Sequence, residues 1–463
     1  MMDTTQPPNG ENWFKERLAR HLSEVLRLAW PVIVARSGLM TMALVDTIMV
    51  GHYSTTELAY LSIGHMPFMP VFLILLGLVL GTVVATSSAY GAEKFKECGA
   101  VWRRSMPYSI YLGIFGGVIS IFGEDLLLAG GQTADLAAHG GRIMFILGLG
   151  LPAFMVTVNC SLFLEGLKRP KPGMVIMIIA NVLNVGLNWM LIYGHGGFEA
   201  MGAEGSAIST IVLRWTMAIV LVVFIWTMRD QERFGIRLSP QGGWKAWAKQ
   251  RHVGYSSAFS IGGETLAFAA MGMFAGWLGE VSLAAYSIAH NLISLAFMVS
   301  LGVGSATVVR VGIARGRGDR ADLQLAGWTG LAVNLLFMGM IGLIFTLFPA
   351  LLSGAYTNDG AVVAIAAPLV AFCGIVVIAD GGQAVMVNAL RGAGGIWAPA
   401  LIQNIAFMAF MLPLGWWLAI ESGHGAIGLY EATFAATILS LVMLSVRFGL
   451  VSRSKGLPYE HLP

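Results

Sequence analysis

Apolar runs of some 20 residues recur along the whole chain, separated by short polar or glycine-rich breaks. Twelve stand out, at roughly 28–50, 60–88, 104–124, 142–164, 173–193, 206–228, 253–277, 284–309, 325–349, 361–389, 397–419 and 427–448. A helix needs about 20 residues to cross the hydrocarbon core of a bilayer. The pattern therefore predicts an all-α integral membrane protein with twelve transmembrane helices. Single carboxylates interrupt three of the runs: Asp46, Glu264 and Asp380. A charge at mid-bilayer costs several kcal/mol, and a helix that merely spans lipid does not need one. These acids are candidates for holding a cation or a proton inside a transporter.

Composition agrees with the pattern. Of 463 residues, 56% are hydrophobic and 11% charged, against roughly 25% charged in soluble domains. The 58 glycines suit close helix packing in lipid. The three cysteines, Cys98, Cys160 and Cys373, have no metal-ligand spacing and read as idle buried thiols. Nothing marks nucleic-acid binding, and a monomer is expected. Residues 11–27 are too charged for a signal peptide and predict an amphipathic helix lying at the membrane surface.

Charge fixes an orientation. Twenty-five of the 28 Lys and Arg lie before span 1, after span 12, or about the connections 2–3, 4–5, 6–7, 8–9 and 10–11. The alternate connections carry acids such as Glu57, Asp135, Glu204, Glu280 and Asp359. The positive-inside rule then puts both termini in the cytoplasm. The chain divides into a cytoplasmic amino terminus (1–27), a six-helix lobe (28–228), a basic linker (229–252), a second six-helix lobe (253–450) and a tail (451–463). The lobes read as a duplication. LGTVVATSSAYG (80–91) and LGVGSATVVRVG (301–312) share L-G-x3-A-T-x4-G, and LEGLKRPKP (164–172) corresponds to LRGAGGIWAP (390–399) at nearly the same offset. Two pseudo-symmetric halves around a central cavity are a transporter architecture.

The polar residues inside the spans refine the candidate sites. Asn181, Asn184 and Asn188 lie on one face of span 5, where they would share a proton or cation with Asp46 if spans 1 and 5 are neighbours, or glue helices together. Glu264 and Asp380 each adjoin a glycine pair, and Gln383 follows Asp380 by one turn. Brought together, the two acids would form an oxygen-rich site for Na⁺ or for a shared proton. Arg36 and Arg214 are also intramembrane. Glu165, Glu431, Arg310 and Arg391 fall near span ends and read as interfacial. His290 reads as a hydrogen-bonded core histidine. The 25 Met, 24 Phe and 13 Trp mostly face lipid or pack helices.

At Pro31, VDTIMVG (45–51), NVGLNW (184–189), Glu264, RVG (310–312) and Asp380 with LRG (390–392), the chain resembles the multidrug and toxic compound extrusion (MATE) transporters, most closely their NorM-like branch. The resemblance covers about residues 25–450. It implies two six-helix lobes forming a V and an antiporter of the bacterial inner membrane that exports amphipathic, often cationic, drugs in exchange for Na⁺ or H⁺. It also implies an amino-lobe cation or proton site at Asp46, Asn184 and Asn188 and a carboxyl-lobe cation site at Glu264 and Asp380. Asn181, Arg36 and Gln383 would be supporting polar residues, although the family pattern has a small or polar residue at Arg36. A lipid-linked precursor flippase of similar architecture is the alternative. It would favour a strongly cationic cavity, whereas acids outnumber the clearly intramembrane arginines here. An enzyme is not expected, because HExxH, GxSxG and P-loop patterns are missing from the sequence. No cofactor is expected beyond the coupling ion.

Overall fold

The computed structural model describes residues 10–239 and 243–453, and every regular element in them is helical. The helices are α1 (Gly10–Tyr53), α2 (Thr55–Gly91), α3 (Phe95–Ile121), α4 (Ala134–Leu149 with Leu151–Gly166), α5 (Lys171–Leu191), α6 (Gly202–Thr227), α7 (Ala248–Trp277), α8 (Glu280–Gly316), α9 (Arg320–Leu347), α10 (Gly360–Ala393), α11 (Trp397–Glu421) and α12 (Ala426–Arg453). Ten helices are long and apolar enough to cross a bilayer. Two pairs broken by bends of 53° (after α3, at Gly123–Ala129) and 45° (within α4) bring the total to twelve. The outer surface is apolar: Tyr111, Phe115, Val182 and Leu336 are exposed, as expected of side chains that face lipid.

The duplication is visible in the packing. In the first half α1 packs on α5, α2 and α3 on α4, and α4 and α5 on α6. In the second half α7 packs on α11, α8 and α9 on α10, and α10 and α11 on α12. The halves meet through α1 against α8 and α7 against α2, contacts that the pseudo-symmetry interchanges, and through α2 against α8. The repeated L-G pair explains how closely they approach. A Cβ on Gly81 would lie 2.0 Å from the Gln250 carbonyl oxygen on α7, and one on Gly302 would lie 2.3 Å from Ile33 Cγ1 on α1. Neither position has room for a side chain, so the repeat motif records the seam between the halves.

Residues 11–27 depart from the expected surface helix. They continue span 1 without a break, as part of a 44-residue rod, and dock on the corner between α8 and α9. Polar groups at that end cause the docking. Arg20 Nη2 donates to both oxygens of Asp322, at 2.8 and 2.9 Å. Arg17 Nη1 reaches Asp319 at 3.0 Å and Asp322 at 3.1 Å. His21 is fully buried: Arg310 donates to its Nδ1 at 2.9 Å, which leaves Nε2–H to donate to Asp322 at 3.2 Å. Glu24 pairs with Arg310 from the second half and with Lys168, at 3.2 Å, from the first. Arg310 is therefore buried in this cluster rather than interfacial. Burial lowers the His21 pKa. Burial acts to raise that of Asp322, but the His21 hydrogen bond and the charges of Arg20, His21 and Arg17 hold it at about 2.

Two predictions follow from these contacts. Gly302→Val should cost about 1–3 kcal/mol in thermal unfolding of the detergent-solubilised protein, as over-packing does. Gly339→Ala, where a Cβ meets nothing within 4 Å, should leave it within about 0.5 kcal/mol. The docked end of α1 should be acid-labile. A depressed folded pKa makes the stabilisation complete above the unfolded value and lost as pH falls, below about 6.5 for His21 and between 3.8 and about 2 for Asp322. Protease cleavage in residues 15–27 should rise between pH 7.5 and 5.5, and that rise should vanish in His21→Gln. Asp322→Asn should expose the segment at neutral pH, since breaking a buried pair costs on the order of 3 kcal/mol.

Candidate functional site

Asp46 sits two turns before the C-terminal end of α1, 8% exposed, where α5 and α6 cover it. The asparagines of α5 are spaced one turn apart, so Asn184 and Asn188 point the same way. Both donate to Asp46 Oδ1, Asn184 Nδ2 at 3.0 Å and Asn188 Nδ2 at 2.6 Å. Thr210 on α6 donates to the other oxygen, Oδ2, at 3.2 Å, and its neighbour Ser209 donates to Asn188 Oδ1. Asn188 Nδ2 also lies 3.4 Å from Asn184 Oδ1. The carboxylate is thus surrounded by neutral donors. His65 and Arg214 act on it electrostatically, without an ion-pair contact. Arg214 instead lies over the rings of Phe154 (5.3 Å) and Phe68 (5.7 Å) and donates to the Leu147 carbonyl. Thr210 and Ser209 carried no sequence signal, because small hydroxyl residues are common in spans and nothing in the pattern of α6 names its neighbours.

Two expected supporting residues lie elsewhere. Asn181 shares the stripe on α5 but donates to Gly38 O at 3.1 Å and to Met177 O at 2.9 Å, so it ties α5 to α1. Arg36 is too far down α1 to reach Asp46. Its guanidinium lies 3.7 Å from Glu165 on α4, and Glu165 also accepts from Ser305 on α8. Glu165 is accordingly buried rather than interfacial. Arg36 and Glu165 line a small cleft of about 40 Å³ between α1, α4, α5 and α6, whose walls include Leu39, Phe154, Met177 and Met217.

The second half holds a separate polar cluster. Asp380 on α10 accepts from Gln383 Nε2 at 3.3 Å. Gln383 accepts from Gln403 Nε2 on α11 at 2.8 Å, and Gln403 accepts from Ser260 on α7. Glu264 lies one turn beyond Ser260 on α7 and makes no hydrogen bond to a described residue. Asp380 and Arg391 are the charges that act on it. Arg391, expected at the interface, is buried. Gln403 immediately precedes a π-helical stretch of α11, Ile405–Met411, a distortion frequent at functional sites. Gln403 and Ser260 escaped sequence reasoning because their partners lie on other helices. His290 also departs from expectation: its buried Nδ1 has no partner among the described residues, and its ring stacks against Tyr286 with centroids 6.0 Å apart. No group of three or more His, Cys, Asp or Glu side chains among the described residues is arranged to hold a metal ion. A cation in either half would therefore rely on carboxamide and hydroxyl oxygens as well as carboxylates.

Comparisons with known proteins agree with this architecture. The MatE family profile matches residues 31–190 and 257–417, one stretch in each half. The chain is 37% identical over 436 residues to a probable multidrug resistance protein NorM of Caulobacter vibrioides, covering 93% of this chain and 92% of the relative. It is 30% identical over 444 residues to the multidrug resistance protein NorM of Burkholderia vietnamiensis, covering 94% and 96%. Among solved structures, the eukaryotic MATE transporter AtDTX14 superposes with a TM-score of 0.85 at 18% identity, covering 94% and 96%. An outward-facing multidrug resistance MATE transporter of the MOP superfamily gives 0.86 at 17%, covering 94% and 97%. This multi-pass membrane protein belongs to the MatE family of multidrug efflux transporters.

Proposed function

We propose that the chain is an antiporter that exports amphipathic organic cations and related toxic compounds by alternating access, in exchange for Na⁺ or H⁺. It acts as a monomer in the bacterial inner membrane, with both termini in the cytoplasm. The observation that carries this reading is the environment of Asp46. A buried carboxylate with three neutral donors and no contacting cation can give up its charge to a proton or share it with Na⁺, and either event changes how α1, α5 and α6 hold together. Glu264 and Asp380 form the corresponding acidic site in the second half. Met177 and Met217 beside α1 are flexible side chains that adapt to varied apolar cargo. A flippase for lipid-linked pyrophosphate is less well supported, since Arg36 is engaged by Glu165 and Arg214 lies over aromatic rings.

The deciding experiment is uptake of a fluorescent organic cation into everted vesicles under an imposed Na⁺ gradient and, separately, an imposed pH gradient. One of them should drive uptake; failure of both would end the antiport reading. Asp46→Asn should fold and insert normally yet lose at least about tenfold in transport rate, a loss on the order of 1.4 kcal/mol or more. Thr210→Val, which removes a single longer hydrogen bond, should retain part of the activity and shift the ion concentration for half-maximal uptake. Wild-type resistance in a well-expressed Asp46→Asn strain would refute the assignment.

A further inference from the structure

The hydrogen bonds that end on Asp380 run in one direction. Ser260 Oγ donates to Gln403 Oε1, Gln403 Nε2 donates to Gln383 Oε1, and Gln383 Nε2 donates to Asp380 Oδ1. Every donor points toward the acid. An ionised carboxylate accepts and cannot donate, so this polarity is the one that an ionised Asp380 requires. The four side chains are at most 5% exposed, which leaves water little room to substitute for a lost partner.

A proton on Asp380 Oδ1, the oxygen that Gln383 reaches, reverses the demand, whereas a proton on Oδ2 leaves Oδ1 accepting. With Oδ1 protonated the carboxyl donates, and Gln383 must turn its carboxamide through half a rotation to present Oε1. Its Nε2 then faces Gln403, which must turn as well and offer Nε2 to Ser260 Oγ. Ser260 changes from donor to acceptor, and its hydroxyl proton is free to seek another partner. The rotations move no proton between atoms; the added proton stays on Asp380. Intermediate arrangements set N–H against N–H or oxygen against oxygen, and burial makes such mismatches costly. The chain therefore has two self-consistent polarities.

We propose that Gln383 and Gln403 are positioning residues forming a two-state carboxamide relay, which carries the charge state of Asp380 from α10 through α11 to Ser260 on α7. Ser260 lies one turn before Glu264, so the signal reaches the part of α7 that bears the second acid. The charged groups acting on Glu264 are Asp380 and Arg391, both on α10. No titratable side chain of α8, α9, α11 or α12 acts on either acid among the described residues. The inference rests on the reading of Asp380 as a coupling acid, and the two can fail separately.

The test uses the full chain reconstituted in phospholipid vesicles, with the proton as probe. Infrared difference spectra between acid and neutral pH should show a protonated-carboxyl band that Asp380→Asn abolishes, together with a change in glutamine side-chain carbonyl absorption. In Gln403→Leu the glutamine change should shrink to the part that Gln383 alone contributes. The pH of half-maximal proton-driven transport of a fluorescent organic cation should then move by about half a unit or more. Ser260→Ala, the mildest change to the fold, should move it in the same sense by less. Wild-type pH midpoints and an unaltered glutamine signal in both variants, with Asp380→Asn still silent, would overturn the relay alone. Wild-type ion dependence in Asp380→Asn would overturn the reading beneath it.

Discussion

The bilayer interior supplies no water, so each polar group placed there must find its partner within the protein. In this chain the acids meet that demand mostly with neutral amides and hydroxyls. Asp46 is held by Asn184, Asn188 and Thr210, and Asp380 by Gln383. Of the arginines in the spans, Arg36 pairs with Glu165 and Arg214 rests on phenylalanine rings. A permanent ion pair would fix an acid's charge. Neutral donors stabilise the charge while leaving it open to exchange, which is the property a coupling site needs.

The glycine seam meets a different demand. Two bundles that move against each other need contact without interdigitated long side chains. Gly81 and Gly302 bring backbone against backbone or against an aliphatic edge, so the contact is close and yet carries little that must be unthreaded. The same positions stand out in the sequence as the internal repeat, and the symmetry of the packing explains why both copies kept them.

Features that repeat along one helix were legible in the sequence; those that join helices were not. The twelve spans follow from apolar length, and the Asn184–Asn188 stripe follows from the period of α5. Thr210, Ser209, Gln403 and Ser260 complete the two sites from other helices, where no spacing marks them. Asn181 shares the period of the stripe but ends on a backbone carbonyl, because one turn along α5 is enough to leave the Asp46 site. Arg36 and Glu165 meet from helices far apart in the chain, so no spacing along either helix marks the pair. Residues 11–27 looked amphipathic for membrane contact, yet their polar face has a protein partner in the α8–α9 corner.

That partner anchors the far end of α1 to the second half. As one continuous helix α1 joins Asp46 to His21, 25 residues away, a span of about 38 Å at 1.5 Å per residue. A rod of that length is a lever. A tilt of about 10° with its fulcrum near Asp46 would carry the far end through some 6 Å, more than any ion pair with Asp319 or Asp322 can stretch. The carboxylate is then the pivot and the docked end the tip of one beam, and Pro31, between them, is where the beam can give.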